Sequence, residues 1–308
     1  MEKNLKIAVV GSGAIGSYYG GKLAAAGYDV HFLMRSDLAV VKNVGLKLRE
    51  ATGETVIPKV AAYASTQEIG SCDLVLIALK TTSNEVLKTL IPPLLKSNTT
   101  LITFQNGLGN EAFLADLFGK ERVMGGLCFV CLNRVAPGVI EHYGHGALAI
   151  GEFCGEPKAR TDALVAAFKE ARIDARTTQS LERERWRKLV WNVPFNGLSM
   201  AAGNVTVDLI LTDPGLLQLT RQLMEETIEA AARLGYPLPP ELIDQQIERT
   251  WSMGAYKPSS LIDFIEGRAV EVESIWGEPL RQAKNAGASV VRLEMLYVLL
   301  KKLTAHHP

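Results

Sequence analysis

The pattern of hydrophobic and polar positions divides the chain into two halves. In the first half, short continuous runs of Val, Ile and Leu alternate with amphipathic stretches, which is typical of a parallel sheet with helices on both faces. The clearest runs predict strands at Lys6–Val10, Asp29–Met34, Asp73–Leu79 and Thr99–Phe104. After Gln179, helical periodicity dominates as far as Leu303. We therefore predict two domains, residues 1–179 and residues 180–308.

Shorter features complete the first predicted domain. A small-residue helix from Ala14 to Ala26 connects the first two strands, and Leu46–Arg49 with Glu54–Ile57 forms a hairpin. A series of strands with glycine turns is predicted within Arg122–Phe153, followed by one more strand at Arg172–Thr177. The predicted fold class is α/β, with a doubly wound sheet domain followed by an all-helical C-terminal domain.

Composition then narrows the classes of function. Of the 308 residues, 47% are hydrophobic and 21% are charged, which is typical of a folded globular protein. The 33 basic and 33 acidic side chains cancel, so we expect no nucleic-acid partner, because such proteins normally carry a basic excess. The sequence has neither an apolar run of about 20 residues nor a signal-peptide pattern. We therefore expect a cytoplasmic protein that does not enter membranes.

The four cysteines do not indicate a metal centre. Only Cys128 and Cys131 are close in sequence, and on a strand two positions three residues apart point to opposite faces. We expect buried, reduced thiols. The remaining candidate ligands are His142 and His145, with Glu141 as the nearby carboxylate, and we predict no metal site there.

A glycine-rich loop follows the first predicted strand and opens a helix. Its sequence is Gly11-Ser12-Gly13-Ala14-Ile15-Gly16. In such a loop the first glycine permits a tight turn, the second lets a pyrophosphate approach the backbone, and the third lets the helix pack against the strand. The N-terminus of the helix adds N–H groups and a partial positive charge. We predict that this loop binds a dinucleotide; the alternative is a glycine-rich turn without a ligand.

The end of the second predicted strand indicates which dinucleotide binds. An NAD enzyme carries Asp or Glu there to hold the ribose hydroxyls, whereas Arg35 in this chain is placed to bind a 2′-phosphate, with Ser36 as a further donor. Asp37 is the alternative, because it would serve NAD if the strand ended two residues later. We predict NADP as the cofactor, the competing interpretation being that Arg35 is a solvated charge.

The segment after Arg187 carries a narrow polar stripe. Its polar residues are Lys188, Asn192, Asn196 and Ser199, at spacings of four, four and three, and the positions between them are apolar, Pro or Gly. At 3.6 residues per turn these side chains form one line along a helix that is otherwise buried. A carbonyl reductase needs a proton donor for the carbonyl oxygen and groups that hold the substrate, and a lysine with asparagines supplies both. The alternative is a structural ladder of hydrogen bonds.

Three further segments carry candidate residues. Asn106 follows a core strand, and Lys80 ends another in the same sheet, where open parallel sheets bind ligands. Ser259 and Ser260 precede a predicted helix, so at least one of them is expected to be its N-cap. If that helix continues without a break to Glu271, Ser260 and Glu271 share a face, and Glu271 is placed to pair with Lys188. The alternatives are that Asn106 is only a turn residue, that Lys80 is an exposed loop lysine and that Glu271 is a solvated glutamate.

Taken together, these segments resemble the ketopantoate reductase (2-dehydropantoate 2-reductase) family over nearly the whole chain. The resemblance rests on the order and spacing of the glycine loop, Arg35, Leu79-Lys80, Gln105-Asn106-Gly107, Trp186-x-Lys188-x-x-x-Asn192-x-x-x-Asn196, Lys257-Pro258-Ser259-Ser260 and Gly267-Arg268-x-x-Glu271. The family implies a Rossmann-type domain joined to an all-helical domain, with the active site in the cleft between them. It also implies reduction of 2-dehydropantoate to (R)-pantoate by NADPH, a step of pantothenate biosynthesis.

The resemblance also implies roles for individual residues. Lys188 corresponds to the general acid and Glu271 to the active-site glutamate. Asn106, Asn192, Asn196 and a serine best matched by Ser260 correspond to substrate ligands. The cofactor residues are Gly11, Ser12, Gly13, Ala14, Ile15, Gly16, Arg35, Lys80 and Asn106. The interval from the serine pair to Gly267 is one residue shorter than the usual family pattern.

Two alternatives to this function remain open from the sequence. One is a reductase of another branched 2-oxo acid that uses the same polar stripe. The other is a non-catalytic NADPH sensor, which would need the glycine loop but not the lysine and asparagines. The expected partner is a small 2-oxo acid, and a homodimer is an open alternative for the assembly.

Overall fold

The computed structural model describes residues 1–305, apart from the side chain of His145. The chain divides into two compact units. We call the first the sheet unit; it comprises Met1–Gln105 and Asn110–Leu181. The second, the helical unit, comprises Asn106–Gly109 and the chain from Glu182 onward. The predicted fold class, a Rossmann-type sheet domain with a helical C-terminal domain, is confirmed.

A ten-stranded mixed sheet forms the centre of the sheet unit. The strands are β1 Ile7–Val10, β2 Val30–Leu33, β3 Leu46–Glu50, β4 Gly53–Ile57, β5 Ala61–Tyr63, β6 Leu74–Ile77, β7 Thr100–Thr103, β8 Val123–Ala136, β9 Val139–Glu152 and β10 Ala175–Thr177. Their order is β4-β3-β9-β8-β7-β6-β1-β2-β5, with β10 paired to β9. Strands β7, β6, β1, β2 and β5 are mutually parallel, whereas β3–β4 and β8–β9 are antiparallel.

The central strands are buried on both faces, which explains their continuous hydrophobic runs. In β1, Ile7 and Val9 belong to one hydrophobic core, while Ala8 and Val10 belong to another. Successive side chains of a strand point to opposite faces, so two cores require apolar residues at every position. The helices of this unit are α1 Ala14–Ala25, α2 Leu38–Val44, α3 Thr66–Ile69, α4 Leu87–Leu90, α5 Asn110–Phe118 and α6 Ala159–Glu170.

One region of the sheet differs from its prediction. The segment 122–153 was predicted as a series of strands with glycine turns, but it forms a single long hairpin of β8 and β9. The register of this hairpin shifts at three places, between Phe129 and Val130, Cys131 and Leu132, and Arg134 and Ala136. Gly144 and Gly146 therefore lie inside β9 and do not end a strand. Irregular pairing of this kind is the usual setting of glycine within a strand.

The helical unit packs around the long helix α7, Leu181–Ala201, whose residues Trp186, Val190, Val193 and Phe195 are fully buried. The other helices are α8 Val207–Thr212, α9 Pro214–Arg233, α10 Leu242–Trp251, α11 Ser259–Ile265, α12 Glu278–Asn285 and α13 Val291–Leu303, with a π-helical turn at Glu273–Gly277. Within residues 1–305, none of the helices combines the length and apolar composition that crossing a membrane requires.

The prediction of an unbroken helix from Ser260 to Glu271 is wrong. Helix α11 ends at Ile265, and its C-terminus forms a Schellman motif. Gly267 donates its N–H to the carbonyl of Phe264, and Arg268 donates to the carbonyl of Asp263. Ser260 and Glu271 therefore lie on different segments of the chain, and their relation is set by tertiary packing.

Candidate active site

The glycine loop connects β1 to α1, and close packing requires glycine at two of its positions, Gly11 and Gly16. A Cβ added to Gly11 would lie 2.4 Å from the backbone nitrogen of Leu79, and one added to Gly16 would lie 2.1 Å from the carbonyl oxygen of Gly11. In contrast, a Cβ on Gly13 would have no atom within 4 Å. The loop is thus pressed against the end of β6 on one side and open at Gly13 on the other. Ser12 donates to the carbonyl of Leu33 at 2.8 Å.

The N-terminus of α1 has the features of a phosphate site. Gly13 is its N-cap, and among the described residues no side chain bonds to the N–H groups of this cap. The first N–H groups of a helix need an acceptor, and phosphate oxygens are a suitable one. Ala14 and Ile15 form the first turn beside the open position at Gly13. This arrangement fits the pyrophosphate of a dinucleotide.

The residues that follow β2 distinguish the two dinucleotides. Arg35 and Ser36 are exposed, whereas Asp37 is 6% exposed. The Asp37 carboxylate accepts hydrogen bonds from Arg134 Nη1 at 2.9 Å and from the backbone N–H of Gly138 at 3.0 Å. This buried carboxylate therefore accepts hydrogen bonds from the β8–β9 hairpin and its turn. Its role as the ribose ligand of an NAD enzyme, left open by the sequence, is not supported.

Asn106 and Lys188 contact each other within the helical unit. The Lys188 ammonium donates a hydrogen bond to Asn106 Oδ1 at 2.8 Å. Asn106 is held there by the next two residues, because Leu108 donates its N–H to the Ser274 carbonyl at 2.9 Å. A Cβ on Gly107, whose φ is +78°, would lie 2.1 Å from that same carbonyl oxygen. Only glycine permits this approach.

The asparagines of the stripe are buried in the helical unit. Asn192 is 7% exposed and Asn196 is 2% exposed, and both project from α7. Asn196 Oδ1 accepts the backbone N–H of Ser260 at 3.0 Å. The predicted serine N-cap is therefore wrong: Pro258 is the N-cap residue of α11, and the side chain of Asn196 satisfies one of the orphan N–H groups.

Ser260 and Glu271 also belong to this region of the helical unit. Ser260 is buried, whereas Ser259 is exposed. Glu271 is 9% exposed and stands just before the π-helical turn, where Ser274 Oγ donates to its carbonyl at 3.3 Å. Single π-helical turns often occur at functional sites. The pairing of Glu271 with Lys188 stays a prediction.

Lys80 lies in the sheet unit, half-buried, at the start of the 3₁₀ helix Thr81–Val86 that follows β6. The sequence did not single out two residues that bond to the segment 106–109 or to the residues flanking it. Asn84 lies in the same 3₁₀ helix, and Ser274 receives the 106–109 segment. A long-range contact to a backbone carbonyl, as at Ser274, leaves no local signal in the sequence.

The two histidines considered for metal binding belong to the β8–β9 hairpin. His142 Nδ1 lies 3.6 Å from Glu50 Oε1, while the side chain of His145 is outside the described residues. Burial alone would raise the pKa of Glu50, but hydrogen bonds from Lys22 and Tyr18 outweigh it and lower the pKa. Among the described side chains, no group of three or more His, Cys, Asp or Glu is arranged to hold a metal.

Comparison with known proteins assigns the chain to a family. The sequence profile described as ketopantoate reductase PanE/ApbA matches residues 7–155, and the profile of the C-terminal region of that family matches residues 180–304. The chain is 38% identical over 303 residues to the 2-dehydropantoate 2-reductase of Nostoc sp. (strain PCC 7120 / SAG 25.82 / UTEX 2576), covering 97% of this chain and 95% of the relative. The chain belongs to the ketopantoate reductase family.

Solved structures agree with this assignment. The 2-dehydropantoate 2-reductase from Geobacter metallireducens GS-15 is 44% identical, with a TM-score of 0.94 covering 97% of this chain and 99% of that one. D-mandelate dehydrogenase, solved with NADH and anilino(oxo)acetate, has a TM-score of 0.89 at 22% identity, covering 98% and 99%, and is similar in fold alone. As a member of the ketopantoate reductase family, the chain is an oxidoreductase, and the predicted resemblance is confirmed.

Proposed function

We propose that this chain reduces 2-dehydropantoate to (R)-pantoate with NADPH, with Lys188 as the general acid. The observation that carries the proposal is the hydrogen bond from the half-buried Lys188 ammonium to Asn106 Oδ1, in the same unit as Asn192, Asn196, Ser260 and Glu271. Family membership and the names of the 38% and 44% identical relatives support the choice of substrate.

The residues of the helical unit supply acid catalysis and orientation in this proposal. NADPH provides the hydride for the 2-oxo carbon. As negative charge develops on the carbonyl oxygen, Lys188 donates a proton to it. An ammonium has three N–H donors, so the bond to Asn106 fixes its direction and leaves donor capacity for the substrate. Glu271, a buried carboxylate of the same unit, is the second catalytic group, and its proposed role is to pair with Lys188.

The substrate ligands in the proposal are Asn106, Asn192, Asn196 and Ser260. The oxygen of Asn196 already accepts the backbone N–H of Ser260, and its NH2 group carries two further donors for a substrate. An N–H donor suits the carboxylate or a hydroxyl of a 2-oxo acid. Because Ser260 is buried and Ser259 is exposed, Ser260 is the better candidate of the two.

The cofactor in the proposal is NADPH. Its pyrophosphate would bind at Gly11–Gly16, its 2′-phosphate at Arg35, and its nicotinamide half near Lys80 and Asn106. The exposed guanidinium of Arg35 and the commitment of Asp37 to Arg134 support NADPH over NADH.

The experiment that tests this function follows the decrease in NADPH absorbance with 2-dehydropantoate and with a panel of other 2-oxo acids. Rapid turnover that is greatest with 2-dehydropantoate is the expected result. Turnover of only other 2-oxo acids would retain the reductase and reject the substrate. NADPH binding without turnover of any of these acids would favour the sensor, which the Lys188–Asn106 pair argues against.

The compartment and the assembly are also part of the proposal. A reducing cytoplasm is supported by the cysteines, since all four are described and none of them forms a disulfide. Cys128 is buried, and Cys131 is half-buried. For the assembly we propose a homodimer.

A further inference from the structure

The segment Asn106–Gly109 is a short excursion of the chain from the sheet unit into the helical unit. It begins after β7 and ends where α5 begins, and it carries Asn106, the hydrogen-bond partner of Lys188. The two residues that flank the segment, Gln105 and Asn110, belong to the sheet unit. We call these two residues the base of the segment, and the bonds that hold them determine where the segment begins and ends.

Both flanking residues are bonded to one side chain, that of Asn84. Gln105 Nε2 donates to Asn84 Oδ1 at 2.7 Å, and Asn84 Nδ2 donates to Asn110 Oδ1 at 3.1 Å. The half-buried carboxamide of Asn84 thus bridges the two ends of the segment with one acceptor and one donor. Asn84 is the fourth residue of the 3₁₀ helix that follows β6, so it belongs to the sheet unit.

Gln105 is further anchored to the ends of two strands. Its Nε2 also donates to the carbonyl of Leu79 at 2.9 Å, and its Oε1 accepts from Thr103 Oγ1 at 2.9 Å. Gln105 is 4% exposed, so breaking these bonds would leave buried polar atoms without partners. The base of the segment is therefore a hydrogen-bonded clamp of Asn84, Gln105 and Asn110.

We propose that Asn84 is a positioning residue for the reaction, and this rests on the proposed function of Asn106 and Lys188. The segment is four residues long, and within the helical unit Leu108 bonds to Ser274 and Asn106 bonds to Lys188. A chain this short has little slack, since each residue spans at most about 3.6 Å. A clamp that opens at the base therefore displaces Asn106 and, through it, the ammonium of Lys188.

A double-mutant cycle tests the proposal. We expect Asn84→Ala to lower kcat roughly 10- to 100-fold, because small misplacements in an active site cost this much. The Kd of NADPH, measured by fluorescence, should change less than kcat does, since Gly11–Gly16 and Arg35, the proposed phosphate-binding residues, do not include Asn84. In an Asn106→Ala background the same substitution should have almost no further effect on kcat, because residues that act through one another are not additive. Asn98→Ala, at an exposed asparagine of the same unit, is the control.

Amide hydrogen exchange gives a second readout that needs no substrate. In Asn84→Ala, the Leu108 N–H should exchange faster, whereas in Asn98→Ala it should exchange as in the wild type. Equal losses of kcat in the two backgrounds, or unchanged exchange at Leu108, would overturn the role of Asn84. Absence of turnover in the wild type together with faster exchange in Asn84→Ala would instead reject the proposed function and support the clamp.

A separate observation concerns the exposed face of α13. Five large apolar side chains on this helix are between 39% and 69% exposed: Val291, Met295, Val298, Leu299 and Leu303. Their spacing places them along one side of the helix. Met295 and Leu299 also line an apolar groove of about 230 Å³ together with Leu216 and Leu219 of α9. Contiguous exposed apolar surface of this kind is typical of an interaction site.

The charges beside this face indicate what covers it. Glu294 stands in the first turn of α13, and Lys301 and Lys302 stand in the last. The side chains of Glu294 and Lys301 remain about half exposed, at 47% and 56%, although they pair with Lys284 and Glu273. Two copies of α13 packed antiparallel about a two-fold axis would place each Glu294 opposite the two lysines of the other copy. A parallel arrangement would oppose like charges.

We infer that α13 is the self-association surface of this chain, with a second copy as its partner. Light scattering with size exclusion should give twice the 33.5 kDa chain mass for the wild type and for Leu209→Asp, a control at a similarly exposed leucine of α8. Val298→Asp should give the single-chain mass. Glu294→Lys should weaken the dimer, and its combination with Lys301→Glu and Lys302→Glu should restore it. A wild type of 33.5 kDa at all concentrations, or a dimeric Val298→Asp, would overturn the inference.

Discussion

The proposed cofactor region and the proposed substrate region of this chain are built in opposite ways. The cofactor region uses contiguous residues, Gly11–Gly16, and its geometry comes from the backbone of one turn and one helix N-terminus. The proposed substrate region uses Asn106, the face of α7, Ser260 and Glu271, which are far apart in sequence. Its bonds include one that joins two side chains, from Lys188 to Asn106, and one that joins the backbone to a side chain, from Ser260 to Asn196. A backbone-built site depends on local geometry, whereas the other depends on the packing of the whole helical unit.

The largest expected effect comes from the substrate region. Lys188→Ala should lower kcat by about 10²- to 10⁴-fold, the range for removing a general acid or base. NADPH binding should be nearly unchanged, because the cofactor loop lies in the other unit. Steady-state kinetics and fluorescence titration of NADPH measure the two quantities. Asn98→Ala serves as the control, and a Lys188→Ala variant with full turnover would refute the role of Lys188.

A smaller effect is expected in the proposed cofactor region, on the affinity for NADPH and not on kcat. Arg35→Ala should weaken NADPH by about 1.5–3 kcal/mol, the range for hydrogen bonds to charged groups. NADH has no 2′-phosphate, so its affinity should change little. Titration of both cofactors against the wild type and the variant gives the comparison. Equal losses for NADPH and NADH would contradict the assignment of Arg35 to the 2′-phosphate and would reopen the choice of cofactor.

The difference between the two regions also explains how much the sequence could predict. The strand runs at Lys6–Val10 and Asp73–Leu79 contain β1 and β6, because a strand buried on both faces is apolar at every position. The sequence predicted the long hairpin of β8 and β9 less accurately, because its bulges and internal glycines look like strand ends in a sequence. Periodicity therefore predicts where a strand lies more reliably than where irregular pairing begins.

For the site, residue types were predictable and their partners were not. Lys188 and Asn106 were both selected from their local patterns, but their mutual hydrogen bond depends on the docking of Gly107 and Leu108 onto Ser274. The prediction of a serine N-cap was wrong because a side chain distant in sequence, that of Asn196, accepts a backbone N–H at the start of α11. Local rules for caps assume a local partner, and tertiary structure is free to supply another.

The Asn196 bond gives a third prediction, on stability. Asn196→Ala removes the acceptor of the Ser260 N–H and should lower the free energy of unfolding by about 1–3 kcal/mol, the cost of a buried donor without a partner. Asn192→Ala, on the same buried stripe, is the matched comparison and should cost less, because within the described residues Asn192 caps no backbone N–H. Chemical denaturation measures both. Equal costs would show that the stripe is not distinguished by its backbone bond.

The smallest expected effect concerns the response of the sheet unit to acid. In the sheet unit, burial would raise the pKa of Glu152, but hydrogen bonds from Arg160 and Thr161 outweigh it and lower the pKa. A carboxyl whose pKa is lower in the folded state stabilises that state above its unfolded pKa, and this contribution is lost as the pH falls through the folded pKa. The wild type should therefore be more stable than Glu152→Gln at neutral pH.

The two proteins should approach each other in unfolding free energy as the pH falls towards the folded pKa of Glu152. Denaturation at a series of pH values below neutrality measures this convergence. The variant isolates one charge, because Gln retains the size of the side chain and an acceptor for Thr161. A stability difference that stays constant with pH would mean that Glu152 acts through packing. In that case the ion pair with Arg160 would not explain the acid response of the sheet unit.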